Sequence, residues 1–360
     1  MKSFGTHLQE AVNEKPYKLV LFSHTGDRIR DIGDKTKDDG GVLFKSAKAV
    51  GIEVFLADFV GSYISEKNGK KYLNSFPFDK DNEVIYPDAK EKASDIKYQK
   101  PFELDPQNTL IMPRGLGTIG FTSSRNWGDM IKNLEEEGFH TVPSIHCWTV
   151  CSSKYRTDLI LRRDGLRTPK TVPIVHSEDA ERAVEELGTD FPIILKSSTG
   201  TQTGVGVIII ESMRSLYSSV QMLLLYSKYM PIIIQEFIKT DYDVRSMVLD
   251  GKVLGSMKRK VIQDGDFRSN VSLGAESETI EITDIEERDI IKAAESVKGQ
   301  LVGVDFIPAK NREKEQPYFL ECNSMPGFGG IEELNKKVSL TQGIFKHFLD
   351  RKNWTGNVGK

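Results

Sequence analysis

With 360 residues, 38% of them hydrophobic and 28% charged, the chain has the composition of a folded globular protein and the length for roughly two or three compact units. A net charge of −3 provides no overall basic field for dedicated nucleic-acid binding, and no apolar run approaches the roughly 18 residues of a spanning helix. The cysteines Cys147, Cys151 and Cys322 form neither an even disulfide framework nor a paired C-x-x-C motif, and the first residues lack a signal-peptide core, so a reducing, cytoplasmic setting is expected.

From Tyr17 the structural signals alternate. YKLVLFSH reads as a buried strand, GGVLFKSAKAVG as an amphipathic helix ending at Gly51, and IEVFLADF as a second strand, an order that predicts a parallel sheet. Residues 67–106 turn polar and charged, with NGKKYLN fitting a turn between short strands, and read as a decorated connection. NTLIMPRG is a third strand; it leaves Arg114 at the end where open α/β sheets bind ligands, and a structural ion pair is an equal alternative for it. The following GLGTIG carries the glycines of a dinucleotide loop, Gly115, Gly117 and Gly120, but no helix is expected to begin directly after them, and that reading is set aside.

A new αβ unit is expected after about residue 150. SSKYRTDLILRRDG has a helix cap at Ser152 or Ser153 and a stop at Gly165, Pro169 and Pro173 bracket an extended segment, and Ser177 caps the helix SEDAERAVEELG. FPIILKSSTGTQTGVGVIIIES then reads as strand, loop, strand. Lys196 ends the first strand, and Gly200, Gly204 and Gly206 free the backbone to fold over an anion, which favours phosphate contact over a bare hairpin tip. SLYSSVQMLLLYSKY is a helix, and PIIIQEFIK is either a purine-pocket strand, with main-chain groups beside Phe237 serving the base edge, or only a buried strand. Asp250-Gly251 joins two strands that bring Arg245, Arg259 and Lys260 onto a sheet, and DGDFRSN adds Arg268 and Asn270 on a loop. A helix over 284–300, a last helix SLTQGIFKHFLDRK covering the core, and a frayed TGNVGK tail complete the series around the stretch from Leu301 to Gly330.

In that stretch, VGVDFI and YFLEC predict an antiparallel pair. The period of two places Glu321 and Asn323 on one face, where Asp305 of the partner strand can meet them. Acids flanked by Val304 and Phe306, and by Leu320 and Cys322, are costly to bury unless paired or bound to a cation, and their oxygens suit magnesium shared with phosphates. A solvated hairpin face is the plainer alternative; the glycine-rich MPGFGG, which lets backbone approach a ligand, favours the site. No Walker-type loop, kinase catalytic loop or recognisable serine-histidine triad is present.

Four segments together, LKSSTGTQTGVGV, QEFIK followed by DVR, GDFRSN, and GVDF with ECNSMPG, resemble in order and spacing the ATP-grasp enzymes, specifically the RimK-like carboxylate-amine ligases, over roughly residues 108–345. The resemblance implies an α/β fold, α+β in its C-terminal part. Its expected parts are an N-terminal Rossmann-like domain over 1–150, a central αβ flap over 151–239, a C-terminal unit on an antiparallel sheet over 240–350, and a tail over 351–360. ATP would lie between the flap and the C-terminal unit. Matched residue by residue, Lys154 and Lys196 would contact phosphates beneath the flap residues Gly200, Thr201, Gln202, Gly204 and Gly206, with Glu236, Phe237 and Asp243 at the nucleoside. Arg268, Ser269 and Asn270 would face the ATP or acyl-phosphate region, Arg259 would lie near the reacting carboxylate, Arg259 and Arg268 would be catalytic, and Asp305, Glu321 and Asn323 would hold two magnesium or manganese ions.

The implied reaction is attack of a carboxylate on the γ-phosphate, then capture of the acyl phosphate by an amine. Implied partners are a small amino acid, glutamate first, and a carboxylate acceptor such as a protein C-terminus or a peptide; a homo-oligomer is compatible, and neither membrane nor nucleic acid is implied. A small-molecule kinase and a non-catalytic nucleotide-binding protein are the alternatives on the same fold. The flap GTQTGVGV is one residue longer than the usual GTQGIGV, the connector NREKEQ is also longer, and residues 1–107 show no match.

Overall fold

The computed structural model describes residues 17–22, 39–80, 84–88, 90–92, 94–116, 121–199, 207–226, 231–260, 277–334 and 339–355. The chain forms two compact units, Met1–Ile145 with Gly327–Lys360, and His146–Pro326.

The first unit opens with β1 (Lys18–Phe22), α1 (Asp39–Ala49) and β2 (Glu53–Ala57), the expected βαβ start. A hairpin of β3 (Ser62–Lys67) and β4 (Lys70–Ser75) follows, and β5 (Phe102–Leu104) pairs with β4. Asn68 and Gly69 make its two-residue turn with φ of 54° and 71°, the left-handed pair that matches strand twist. β6 (Thr109–Met112), α2 (Phe121–Glu136) and β7 (His140–Thr141) complete a parallel sheet in the order β2-β1-β6-β7. Its continuous apolar runs are buried, Leu19, Val20 and Leu21 among them, as strands covered on both faces require.

One expectation is corrected here. α2 does begin at Phe121, directly after the glycine segment, so the absence of a helix was not a valid ground for setting the dinucleotide reading aside. The misreading has a local cause: Thr122, Ser123 and Ser124 look like loop residues, whereas Ser124 donates to the Leu116 carbonyl at 2.5 Å and ties the preceding turn to the helix. Gly117 and Gly120 themselves lie outside the described residues.

The second unit contains α3 (Ile145–Cys151) from its second residue on, then α4 (Lys154–Arg163). Ser153 caps α4 by accepting from the Arg156 amide, and Gly165 leaves it at φ 77°. β8 (Thr171–Ile174), α5 (Ala180–Leu187), β9 (Ile193–Ser197), β10 (Val207–Ile210), α6 (Met213–Tyr226) and β11 (Ile232–Glu236) build an antiparallel sheet in the order β10-β9-β11-β8. Pro173 is tolerated because β8 is an edge strand. Ser177 starts a single 3₁₀ turn, Ser177–Asp179, and α5 follows it.

One face of this sheet, with Val172, Ile174, Ile193, Leu195, Ile210, Ile232 and Ile234, is buried in a cluster with Ala183 and Leu187 of α5 and Leu216 and Val220 of α6. The alternate residues, Thr171, Ile194, Lys196, Ile233 and Gln235, therefore share the other face.

β12 (Tyr242–Leu249), β13 (Lys252–Lys260), β14 (Ser277–Thr279), α7 (Asp284–Ser296), β15 (Leu301–Ile307) and β16 (Tyr318–Asn323) form the second antiparallel sheet of this unit, ordered β14-β13-β12-β15-β16. Asp250-Gly251 turns the β12–β13 hairpin as expected, and Thr283 and Glu286 close a capping box on α7. Val244, Val248, Val302, Val304, Phe306 and Cys322 pack with Ile290, Ala293, Ala294 and Val297 of α7. All three cysteines are free thiols and belong to or pack against this cluster.

The chain then returns to the first unit through α8 (Gly329–Leu334) and α9 (Leu340–His347). Ser46 and Thr341 hydroxyls lie 2.7 Å apart, and Tyr17 donates to the Phe345 carbonyl at 3.4 Å. The boundary expected at residue 350 is thus displaced to Gly327, and the final helix covers the N-terminal core, because its apolar face finds α1 there. The start of the tail is also ordered: Arg351 donates to Asn108 at 2.9 Å and Trp354 stacks on His140, while residues 356–360 lie outside the described set. Among the described residues no helix is long and apolar enough to cross a membrane.

Gly303, opposite Asn323, lets Pro326 approach β15: a Cβ there would meet Pro326 at 2.8 Å. Gly303→Ala should lower stability by about 1–3 kcal/mol through this overlap, measurable by urea unfolding.

Candidate active site

The sheet of β12, β13, β15 and β16 has an apolar face toward α7 and a polar face defined by strand register. Asp243 lies opposite Arg259, Arg245 opposite Asp305, Asp305 opposite Glu321, and Gly303 opposite Asn323. Cross-strand partners share a face, so guanidiniums and carboxylates intermingle across β13, β12 and β15, and the row ends in two neighbouring carboxylates, Asp305 and Glu321. Arg259 donates to both oxygens of Asp243 at 2.7 Å and lies 3.1 Å from Asp305 Oδ2. Arg245 closes on Asp305 from the other side, with two hydrogen bonds of 2.6 Å.

Glu321 stands at the open end, 3.9 Å from Arg245, with its side chain 31% exposed against 4% for Asp305. Asn323 donates to Glu321 Oε1 at 3.2 Å and to Asp305 Oδ2 at 3.5 Å. Asp305, Glu321 and Asn323, predicted to converge, are therefore gathered. Burial opposes ionisation of Asp305, but Arg245 and then Arg259 outweigh it and hold its pKa well below the usual carboxylate value. Burial likewise works against the Arg259 charge, and Asp305 and Asp243 more than restore it.

The donor set fits a hard cation. Three carboxylates, Asp243, Asp305 and Glu321, face two guanidiniums, Arg245 and Arg259, so the row sums to −3 + 2 = −1, with the excess at the exposed Glu321 end. Among the described residues Asp305 Oδ1 accepts from Arg245 Nε alone, which leaves it a lone pair, and the Asn323 amide supplies a further oxygen. Among the described residues no three His, Cys, Asp or Glu side chains cluster as a metal site.

The other sheet supplies Lys196. Its ammonium donates to Gln235 Oε1 at 2.5 Å, and burial is the main force bringing its pKa down to about 8, with Glu321 raising it, Lys154 lowering it and Asp158 raising it. Lys154 starts α4, its amide donating to the Ser198 carbonyl at 2.8 Å, and an isolated bridge joins Ser153 to Thr199. The two lysines expected at phosphates thus feel each other's charge. Glu236 ends β11, its carboxylate accepting from the Lys170 amide at 3.3 Å, and Phe237 follows half-buried.

Asp243, expected at a nucleoside, has both oxygens committed to Arg259. Gly200, Thr201, Gln202, Gly204, Gly206, Arg268, Ser269 and Asn270 lie outside the described residues. Arg114 belongs to the first unit, where its guanidinium lies 5.5 Å from the Phe328 ring centre. Arg245 is the residue whose role sequence reasoning missed; the signal was available in D-x-R on one strand, a spacing that puts Asp243 and Arg245 on a common face.

A lysine on one β-sheet and a carboxylate-amide row on a second antiparallel sheet are groups suited to phosphates and a hard cation. Residues 151–346 match the model of the RimK-like ATP-grasp domain. A probable alpha-L-glutamate ligase of Coxiella burnetii (strain Dugway 5J108-111) is 34% identical over 229 residues, covering 63% of this chain and 72% of that protein. The chain therefore belongs to the RimK-like ATP-grasp family, and it is an ATP-dependent carboxylate-amine ligase.

The ATP-grasp fold extends over nearly the whole length. A Chryseobacterium gregarium RiPP-associated ATP-grasp ligase in complex with ADP and a leader and core peptide superimposes with a TM-score of 0.63 at 16% identity, covering 93% of this chain and 97% of that one. The ATP-grasp ligase PsnB, complexed with a minimal precursor, Mg and ADP, gives 0.58 at 17% identity, with 93% and 98% covered.

Two outcomes follow from the electrostatics. Asp305→Asn strips the shared counter-charge from two guanidiniums and should cost about 3–5 kcal/mol, whereas Glu321→Ala, at the exposed end, should abolish turnover with little change in melting temperature. Because Lys196 loses its charge as pH rises through about 8, kcat/KM for ATP should fall on that alkaline limb. Lys196→Arg, charged throughout, should remove the limb from the pH profile.

Proposed function

We propose that the enzyme activates a substrate carboxylate by phosphorylation from ATP and joins it to the amino group of glutamate. A carboxylate oxygen attacks the γ-phosphorus and ADP departs; the amine nitrogen then attacks the acyl carbon, phosphate leaves with the bonding pair, and the nitrogen loses a proton. The observation that carries this reading is the charged row ending at Glu321 and Asn323, whose negative excess suits a divalent cation, because a displacement between anions requires arranged positive charge more than a protein nucleophile.

Asp305, Glu321 and Asn323 would hold magnesium, with manganese as a substitute and two ions as the full complement. The cations supply neutralisation of the phosphate oxygens as charge shifts to the leaving ADP. Lys196 and Lys154 bind phosphates, Glu236 and Phe237 border the nucleoside, and Arg259, fixed by Asp243 and Asp305, presents its charge to the reacting carboxylate. Asp243 thereby serves to orient Arg259. Residues 200–206 and Arg268, Ser269 and Asn270 complete the proposed site by their sequence match alone.

Glutamate as amine donor is supported by the curated relatives, named as probable alpha-L-glutamate ligases. A peptide as the acceptor is supported by fold neighbours solved with a leader and core peptide or with a minimal precursor, and a protein C-terminus would offer the same kind of carboxylate.

Incubation with Mg, ATP, glutamate and an ¹⁸O-carboxylate-labelled peptide should release ADP, a product heavier by one glutamate residue, and phosphate carrying one ¹⁸O. A phosphorylated product without an amide would instead identify a kinase, and absence of ADP release across candidate acceptors would favour a binding protein.

A further inference from the structure

Lys196 and Gln235 are not direct cross-strand partners. Lys196 pairs with Ile233 and Gln235 with Ile194, which makes the two diagonal neighbours on the same face of the β9–β11 pair, within reach of long side chains. Gln235 is in turn directly opposite Thr171 of the edge strand β8. A continuous row results: Gln235 Nε2 donates to Thr171 Oγ1 at 2.8 Å, Lys196 Nζ donates to Gln235 Oε1 at 2.5 Å, and Thr171 Oγ1 donates to the Pro169 carbonyl at 2.9 Å. Each link fixes the next. The backbone carbonyl orients the hydroxyl, the hydroxyl orients the amide, and the amide presents its oxygen to the ammonium.

We propose that Gln235 is a positioning residue that aims the Lys196 ammonium at the phosphates of the nucleotide. This rests on the reading of Lys196 as a phosphate contact. An ammonium carries three N–H donors, and tying one to a fixed acceptor directs the remaining two, whereas a free lysine loses rotamer entropy when it binds. The choice of amide is chemically pointed. A carboxylate at this position would neutralise the charge that phosphate needs, and an apolar residue would remove the fixed acceptor of the half-buried ammonium; the neutral amide holds it and leaves its charge intact. Among the described residues Lys196 forms no ion pair within 4 Å, and the charges it senses, Glu321, Lys154 and Asp158, act at longer range.

Gln235 itself is 5% exposed and precedes Glu236 and Phe237, so a purely structural role would disturb the nucleoside pocket as well. This separates the two roles experimentally. Calorimetric titration of the full chain with ATP, ADP and adenosine in the presence of Mg is the test. Gln235→Leu should weaken ATP and ADP by roughly 10- to 100-fold, the range for losing a hydrogen bond to a charged group, and leave adenosine unchanged. In a Lys196→Met background the same substitution should add no further loss.

Gln235→Glu, isosteric and available should the leucine variant fail to fold, should also weaken ATP while sparing adenosine, because its carboxylate pairs with the ammonium. Unchanged ATP affinity in either folded variant, or an equal loss for adenosine, would overturn the assignment. If Lys196→Met alone binds ATP as the parent does, the phosphate reading of Lys196 falls and takes this inference with it; if Lys196→Met weakens ATP and the Gln235 variants do not, only the inference falls.

Discussion

Asp305 sits on an interior strand of an antiparallel sheet with its side chain almost wholly covered, and a charge in that position persists only because Arg245 and Arg259 close on it from two sides. An isolated carboxylate there would be driven to its neutral form, and isolated guanidiniums would be costlier still. Pairing resolves the local cost and transmits a constraint. Arg259 is also clamped by Asp243, so the positions of charges on β12, β13 and β15 depend on one another. Rigidity of this kind lowers the reorganisation required when charge moves during reaction, which is what a phosphoryl-transfer site needs from its protein.

The two sheets of the second unit solve one problem in the same way. Each commits alternate residues to an apolar cluster under helices and releases the others to a polar face. Strand periodicity thereby converts a linear sequence into two rows, one of acids, amide and guanidiniums, the other of hydroxyl, amide and ammonium. Lys196 and Glu321 influence each other's electrostatics although they belong to different sheets. Neither row is a contiguous motif, and each is assembled by register.

How far the sequence revealed this follows from the range of each signal. Local patterns were legible: the βαβ start, the Asp250-Gly251 hairpin, the cap of α4 at Ser153 and the Asp305–Glu321–Asn323 convergence all depend on neighbours within one turn or one strand pair. Arg245 was seen only as positive charge, because its partner lies 60 residues away and pairing across β12 and β15 is a long-range fact. The start of α2 was misjudged where small hydroxyl residues satisfy a helix's first turn as readily as a loop. The destination of α9 was missed for a related reason: an amphipathic helix announces that it needs a core without saying which one. Gln235 looked like the flank of a purine strand, since its hydrogen-bond partners become visible only once β8, β9 and β11 are in register.

The return of α9 to the N-terminal unit makes residues 146–326 an uninterrupted insertion within a split partner. During synthesis the ribosome emits that insertion whole while Thr341 and Phe345, which complete the packing on α1 and Tyr17, are still to be translated. The inserted unit can close on contacts within its own span, whereas the enclosing unit must wait for its last segment and bridge some three hundred residues of chain, the slowest kind of contact in folding. Maturation of the polypeptide therefore runs from the inside of the sequence outward.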